Sequence, residues 1–425
     1  MSGPLRIAIA GLGTVGGGVV AALQSKTLED RAGRRLEIVA MCARDRNKKR
    51  GFEIGNWVGD THALAKVDAD VVVELIGGDD GPALTLVEKA LKAGKHVVTA
   101  NKALLARHGA RLAALAEEKG LSLKFEAAVA GGIPIVKALR ESLIGYEVAA
   151  VRGILNGTCN YILTQMESSG RPFNDVLKDA QAFGYAESDP SLDIGGGDTA
   201  HKLALLAALA FGTMPDLDTM AVRGIAHIAS EDIAFAREFG YRIKLLGIAK
   251  RSQNGIDQRV QPSMVSAGTP LADVHGAFNA VVADVKHAGP FFFDGRGAGE
   301  APTANAVIAD IVDIARGNMG PVFGIPARAL VPLPAAPADS ATSAFYLRFQ
   351  VLDVPGVLAE IAGRLAEWRI SIESMIQRGR APGEAVSIVM ITHETTYAAV
   401  DGAFKTIAVS DKVISPPCMI AMEAR

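Results

Sequence analysis

Between Gly184 and Lys202 the chain reads GYAESDPSLDIGGGDTAHK, with four carboxylates (Glu187, Asp189, Asp193, Asp198) ahead of one lysine, Lys202. Asp198 and Lys202 are four apart, so on a helix they share a face. The leucines that follow, Leu203, Leu205, Leu206 and Leu209, make that helix apolar enough to be partly buried. A buried lysine beside a carboxylate can serve as a proton donor near neutral pH. The same pair also suits an N-cap aspartate with an ordinary i,i+4 ion pair.

A second chemistry is written at Gly11-Leu12-Gly13-Thr14-Val15-Gly16, which follows a predicted strand and opens a helix. Gly11 permits a tight turn, Gly13 lets a pyrophosphate approach the backbone, and Gly16 lets helix and strand pack closely. The helix start offers free N–H groups and partial positive charge to phosphates. An NAD site usually ends its second strand with a carboxylate for the ribose. Here residues 43–50 carry five cations and one acid. Arg44 is the best-placed partner for a 2′-phosphate, with Lys48 or Arg50 assisting, so NADP is expected, while Asp45 keeps NAD open. Lys102, in Thr99-Ala100-Asn101-Lys102, sits at a strand's carboxyl end, where open α/β sheets bind ligands. It suits a contact to cofactor or carbonyl, or a plain exposed lysine at a helix start.

The elements that would position these groups are legible. Strands are expected at Arg6–Ala10, Leu36–Met41, Asp70–Leu75, His96–Thr99 and Ser122–Glu126, with helices at Val15–Gln24, Pro82–Ala93 and Lys102–Lys119. Apolar strands alternating with helices imply an α/β, Rossmann-type doubly wound parallel sheet over residues 1–130. Residues 131–296 read as an α+β substrate and dimerisation domain, with helices at Ile135–Leu143, Asn174–Gly184 and Asp198–Gly212 and strands such as Ala149–Leu155 and Gln258–Met264. The segment Gly297–Asp310 feeds a last helix that completes the first domain over about 297–320. A Pro/Ala-rich linker is expected at 330–343. Residues 344–425 then show strands at Ala344–Asp353, Ile370–Arg378, Ala385–Thr392 and Lys412–Met422 and helices at Val357–Trp368 and Thr396–Ile407, the ferredoxin-like βαββαβ order.

Composition narrows the classes. The chain has 425 residues, 49% hydrophobic and 21% charged, and a net charge of −2. That length suggests roughly three domains, and the balanced charge excludes a nucleic-acid partner. No apolar run approaches a bilayer span, so no membrane partner is expected. Leu5–Ala10 is too short for a signal peptide. Three scattered cysteines, Cys42, Cys159 and Cys418, argue against a disulfide framework or zinc site and suit a reducing cytoplasm. The eight histidines show no HxxxH or HExxH spacing.

Taken together, GLGTVG at 11–16, TANK at 99–102, GGIPI at 131–135, RGILNGTCNYIL at 152–163, the 184–203 block and GAGEAPTANAV at 297–307 resemble the homoserine dehydrogenases. The tail from Ala344 resembles an ACT domain, a regulatory amino-acid-binding module. Cys159 stands where the family usually has threonine. The resemblance implies reversible, NAD(P)H-dependent reduction of L-aspartate 4-semialdehyde to L-homoserine in threonine, methionine and isoleucine biosynthesis, with threonine as effector of the ACT domain. It implies that Lys202 acts as the acid, with Lys102 and Asp198 beside it. Glu187, Asp193, Tyr185, Asn156, Gly157 and Thr158 would meet the substrate or the nicotinamide side. Gly11, Gly13, Thr14, Val15, Gly16, Arg44, Lys102 and Gly299 would meet the cofactor. A monovalent cation, sodium, would lie on main-chain oxygens at Glu126, Val129, Gly131 and Ile133. A homodimer or homotetramer is expected. Two alternatives stand beside this reading: another ACT-tailed dehydrogenase, which would not be expected to carry the 184–203 block, and a non-catalytic nucleotide and amino-acid sensor, although Glu187, Asp198, Lys102 and Lys202 are all present.

Overall fold

The computed structural model describes residues 3–52, 55–337, 341–378 and 383–423. The first part runs β1 (Leu5–Ala10), α1 (Thr14–Leu23), α2 (Lys26–Ala32), β2 (Leu36–Cys42), α3 (Thr61–Leu64), β3 (Val71–Glu74), α4 (Pro82–Lys92), β4 (His96–Thr99), α5 (Lys102–Glu118) and β5 (Leu123–Lys124). All pairings are parallel, in the order β2-β1-β3-β4-β5. The strands are apolar on both faces because both are covered. Ile7 and Ile9 pack with α1 and with residues 304–315, whereas Ala8 and Ala10 pack with Leu86, Leu91, Leu104 and Leu105.

The chain continues through α6 (Ile135–Lys137), β6 (Val148–Ile154), α7 (Gly157–Ser169), α8 (Phe173–Ala182), α9 (Ser191–Ile194), α10 (Gly197–Phe211), β7 (Ala221–Val222), α11 (Ser230–Glu238), β8 (Tyr241–Ser252), β9 (Gly255–Ser266), β10 (Phe278–Val285), β11 (Gly289–Arg296) and α12 (Glu300–Arg316). The helix expected over Ile135–Leu143 is one α-turn that widens into a π-turn at Ala138–Ser142. Helix α12 returns to the first sheet, and a Cβ on Gly18 would meet Glu300 and Ala304 at 2.9 and 3.0 Å. No helix among the described residues is long and apolar enough to cross a membrane.

The last part is β12 (Thr342–Leu352), α13 (Val357–Glu367), β13 (Ile372–Gln377), β14 (Ala385–Thr392), β15 (Thr395–Thr396), α14 (Tyr397–Ile407) and β16 (Cys418–Met422). The final strand begins at Cys418 and not at Lys412, because Pro416 and Pro417 cannot donate to a ladder. Its own core joins Phe345, Leu347 and Phe349 to Val357, Ile361, Leu365 and Val400.

This part does not hang free. One sheet runs β11-β10-β6-β8-β9-β16-β12-β14-β13 through both halves, joined where Ala421 and Met422 pair in parallel with Ser263 and Met264. The Pro/Ala-rich stretch is docked as well: Val331 bridges Thr213, and Ala335 bridges Ile256. Beneath the join, Asp232 of α11 is fully buried. It accepts from Arg348 Nε at 2.6 Å and Nη2 at 2.9 Å, and from the Tyr346 hydroxyl at 2.9 Å. Burial, reinforced by this carboxylate, pushes the Tyr346 hydroxyl and the Cys418 thiol far up. Breaking a buried ion pair from one side strands a charge. Arg348→Met is therefore expected to destabilise the protein by about 3–5 kcal/mol, with Arg348→Met/Asp232→Asn recovering much of the loss. Urea unfolding midpoints measure both.

Candidate active site

The parallel sheet changes direction between β1 and β3, and open α/β sheets bind ligands at such a point. There Gly11 has φ +96°, and a Cβ on it would lie 2.4 Å from the Leu75 carbonyl oxygen. A Cβ on Gly16 would lie 2.0 Å from the Gly11 carbonyl oxygen, whereas one on Gly13 would meet nothing within 4 Å. The turn is thus closed on the protein side and open at Gly13, the residue that precedes Thr14 and Val15 at the start of α1. Free helix-start N–H groups facing open space fit a phosphate group. Gly299, φ +117°, begins α12.

The basic loop after β2 is stitched to this turn by Arg50, which donates to the carbonyls of Leu12 (3.1 Å), Lys48 (2.9 Å) and Asp45 (2.8 Å). The Asp45 carboxyl accepts from its own loop, at Asn47 N. Arg46 lies over Trp57. Arg44 is exposed and pairs with no acid among the described residues.

At the carboxyl ends of β3 and β4 is a network that sequence reasoning missed. Glu74 is fully buried. Its carboxyl accepts from Ile76 N (2.8 Å) and Gly77 N (3.1 Å), and from the Thr99 hydroxyl (2.6 Å). Thr99 Oγ1 in turn accepts from Asn101 N at 2.9 Å. Asn101 caps α5 by accepting from Leu104 N, and its amide donates to the Gly78 carbonyl at 2.6 Å. Two loops of the switch-point crevice and the first turn of α5 are thereby locked together. The available signals were an acid closing the apolar run Val71-Val72-Val73-Glu74 and an asparagine at an N-cap position.

Lys102, the first residue of α5, reaches from this crevice into the second part of the chain. Its ammonium lies 3.1 Å from Asp198 Oδ1. Asp198 Oδ2 accepts from Lys202 Nζ at 2.7 Å and from Asn156 Nδ2 at 2.9 Å. Lys202 also donates to the Leu155 carbonyl at 2.7 Å. Asn156 donates to Asp193 Oδ1 at 2.7 Å while its carbonyl oxygen caps α7 at Cys159 N. Burial alone would raise the Asp198 carboxyl, but Lys202 and Lys102 outweigh it and hold it well below the usual carboxylate range. Burial raises Asp193. Cys159 is buried, its thiol pushed far up, as befits a packing residue.

The structure brings Lys102, Asn156, Asp193, Asp198 and Lys202 together. Gly157 starts α7 beside them, and a Cβ there would lie 2.7 Å from the Ala277 carbonyl oxygen. Thr158 donates to the Tyr185 carbonyl at 2.6 Å, and the exposed Tyr185 ring stacks on Tyr161 at 4.4 Å. Glu187 is not in the cluster: its side chain is exposed, and its carbonyl accepts from Gln181. Glu126, Val129, Gly131 and Ile133 lie on a buried loop after β5. The Glu126 carboxyl accepts from Val136 N and Lys137 N, and burial, then Asp310, push it up to about 7. Gly131 has φ +55°, and Ile133's carbonyl accepts from Ile135 N.

Comparison with known proteins agrees along the chain. Residues 11–126 match the family model "Homoserine dehydrogenase, NAD binding domain", residues 134–312 match "Homoserine dehydrogenase", and residues 345–408 match "ACT domain". The homoserine dehydrogenase of Neisseria gonorrhoeae is 44% identical, over 99% of both chains. The crystal structure of a homoserine dehydrogenase from Thiobacillus denitrificans superposes with a TM-score of 0.92 at 41% identity, covering 100% of this chain and 99% of that one. A hyperthermophilic archaeal homoserine dehydrogenase solved with NADPH has a TM-score of 0.65 at 25% identity, over 75% of this chain and 99% of that chain.

Removing the Glu74 carboxyl takes the acceptor from two part-buried backbone N–H groups and from the buried Thr99 hydroxyl. Glu74→Ala is expected to lose about 2–3 kcal/mol of stability, read by denaturant unfolding, and Glu74→Gln distinctly less.

Proposed function

The chain belongs to the homoserine dehydrogenase family and is an oxidoreductase; from that premise we propose that it interconverts L-aspartate 4-semialdehyde and L-homoserine, with NADPH preferred over NADH. The observation that carries the reading is the single Asp198 carboxylate shared by Lys102 and Lys202. One lysine comes from the nucleotide-binding part and the other from the substrate part, so the reacting carbon would sit where the two parts meet.

When bound, the nicotinamide group exchanges a hydride with that carbon. The open face at Gly13, the start of α1 at Thr14 and Val15, and the turn held by Gly11 and Gly16 fit its pyrophosphate, and Gly299 of the adjoining α12 turn borders this region. Arg44, unpaired at the end of β2, suits a 2′-phosphate, while the nearby Asp45 carboxyl is engaged by Asn47 N. The archaeal relative's complex with NADPH favours the same choice.

Reduction builds negative charge on the substrate oxygen, and Lys202 gives it a proton. Two acceptors, Asp198 and the Leu155 carbonyl, fix the Lys202 ammonium in place before reaction, so little reorganisation accompanies the transfer. Asp198 stays ionised and steadies both lysines. Lys102 contributes a second positive charge at the crevice. The substrate's ammonium group is drawn to Asp193 and to Glu187 of the exposed 185–190 loop, with Asn156, Gly157, Thr158 and Tyr185 bordering the site. A sodium ion would sit on the 126–133 loop. The Glu126 carboxyl is engaged by backbone N–H groups; the main-chain carbonyls of Glu126, Val129 and Gly131, with the second lone pair of the Ile133 carbonyl that already accepts from Ile135 N, would serve such an ion. The wider reading is a homo-oligomeric cytoplasmic enzyme of threonine, methionine and isoleucine biosynthesis, inhibited by threonine through its ACT domain.

General acid catalysis contributes roughly 10²–10⁴ in rate. Lys202→Ala is expected to cut turnover of aspartate semialdehyde by about that factor while NADPH binding, followed by its fluorescence, persists; a near-normal rate refutes the role. Arg44→Ala is expected to raise KM for NADPH roughly tenfold or more and leave NADH little changed. Equal losses for both cofactors would sink the 2′-phosphate contact.

A further inference from the structure

The chain passes from the nucleotide-binding part to the substrate part after β5 and returns between β11 and α12. The two crossings touch. Gly132 N donates to the Arg296 carbonyl at 3.0 Å, and a Cβ on Gly131 would run into the Gly297 carbonyl group. On Gly297, in turn, lies the side chain of Asn279, the second residue of β10. A Cβ on Gly297 would fall within 2.5 Å of the carboxamide carbon, nitrogen and oxygen. The same carboxamide oxygen and the Ala277 carbonyl oxygen close on Gly157, where a Cβ would meet them at 3.2 and 2.7 Å. One side-chain amide is therefore sandwiched between the return crossing, which leads into α12, and the first residue of α7.

Hydrogen bonding does not account for this amide. Asn279 is 1% exposed, and its Oδ1 is buried without a partner, a costly state for an acceptor. An apolar side chain of similar volume would escape that cost, but leucine branches out of plane, whereas a carboxamide is flat. A flat group is what a gap between two glycine backbones admits. The amide is also held still. Asn279 pairs with Gly295 of β11, and the turn leading to it is pinned to α7. Asn160 Nδ2 donates to the carbonyls of Val274 and Phe278, both at 3.1 Å, and Gly276 N donates to the Thr164 hydroxyl at 3.2 Å. Beneath them the buried Lys244 Nζ donates to the Val274 carbonyl at 2.5 Å and to Asn160 Oδ1 at 3.1 Å.

We propose that Asn279 is a positioning residue for hydride transfer, a spacer whose thickness sets how far the start of α7 stands from the turn that begins α12. The proposal rests on the dehydrogenase reading of the site. What stands on each side gives the spacer its leverage. Asn156, next to Gly157, holds Asp193 and Asp198 through its amide. Helix α12 packs on α1, with Glu300 and Ala304 against Gly18, two residues beyond the glycine turn. Substrate groups thus lie on one side of the amide and cofactor groups on the other, and hydride transfer depends on the distance between them. A misplacement of about 1 Å can cost about a hundredfold in rate.

The test removes the spacer and then replaces it. Asn279→Ala thins the gap, Gly297→Ala overfills it, and in the double variant the methyl group at 297 occupies volume that the carboxamide leaves. Rates are measured with aspartate semialdehyde and saturating NADPH, carrying protium or deuterium at the transferred position. Crystal structures of the parent and Asn279→Ala compare the separation of Gly157 and Gly297. Each single variant is expected to lose about 10–100-fold in kcat, with both KM values within about threefold of the parent's and a larger deuterium isotope effect. The double variant is expected to return to within about threefold of the parent. A normal kcat in Asn279→Ala, losses that simply multiply in the double variant, or an α7 start that has not moved in Asn279→Ala overturns the proposal. If the single variants fail to fold, the double variant decides alone: a kcat within about threefold of the parent's supports the spacer, and a larger loss overturns it. A parent that leaves aspartate semialdehyde unreduced strikes the assigned substrate instead. The crystallographic comparison then decides, with α7 drawn toward Gly297 supporting the spacer and an unmoved α7 overturning it.

Discussion

A single carboxylate between two ammonium groups is the constraint on which the catalytic half is built. Asp198 lies in a buried position, where an isolated charge is costly, and the protein offsets that with Lys102, Lys202 and the Asn156 amide. These partners come from α5, α10 and the turn before α7, so satisfying one buried charge brings three segments of the chain to one point. Both ammonium groups are thereby held beside the place where a carbonyl oxygen would gain negative charge. The electrostatics that stabilise the arrangement and the electrostatics that would serve the reaction are the same.

The second tier is the hydrogen-bonded scaffolding behind it. Glu74, Thr99 and Asn101 make no contact with Asp198, but they fix where α5 begins, and Lys102 is its first residue. A long, flexible lysine gains precision when its backbone anchor is held by several short hydrogen bonds. Preorganisation is thereby moved from the side chain to the helix start.

Much of this was legible in the sequence because it depends on local rules. The glycine turn, the parallel strands and the Asp198–Lys202 spacing follow from backbone sterics and helical period, and the structure shows Gly11, Gly13 and Gly16 in the geometries those rules require. What could not be read depends on long-range pairing. Glu74 and Thr99 are 25 positions apart, and Asp232 and Arg348 are 116 apart. Strands β8, β10 and β11 were not anticipated, because segments such as Tyr241–Ser252 mix lysine, arginine and glycine into an otherwise apolar run and earn their strand character from neighbours in the sheet. Glu187 shows the reverse limit: its block carries a strong family likeness, yet in this conformation the side chain faces solvent.

The outer edge of β9 is closed in three pieces: by Ala335 at Ile256, by β7 at Arg259 and Val260, and by β16 at Ser263 and Met264. The last of these joins residues 158 positions apart, Ala421 with Ser263 and Met422 with Met264. Without it part of a long edge strand stands open, a state that invites wrong pairing. A polypeptide ending before Cys418 would retain every group of the Asp198 cluster and still expose the flaw that marks it for aggregation or destruction.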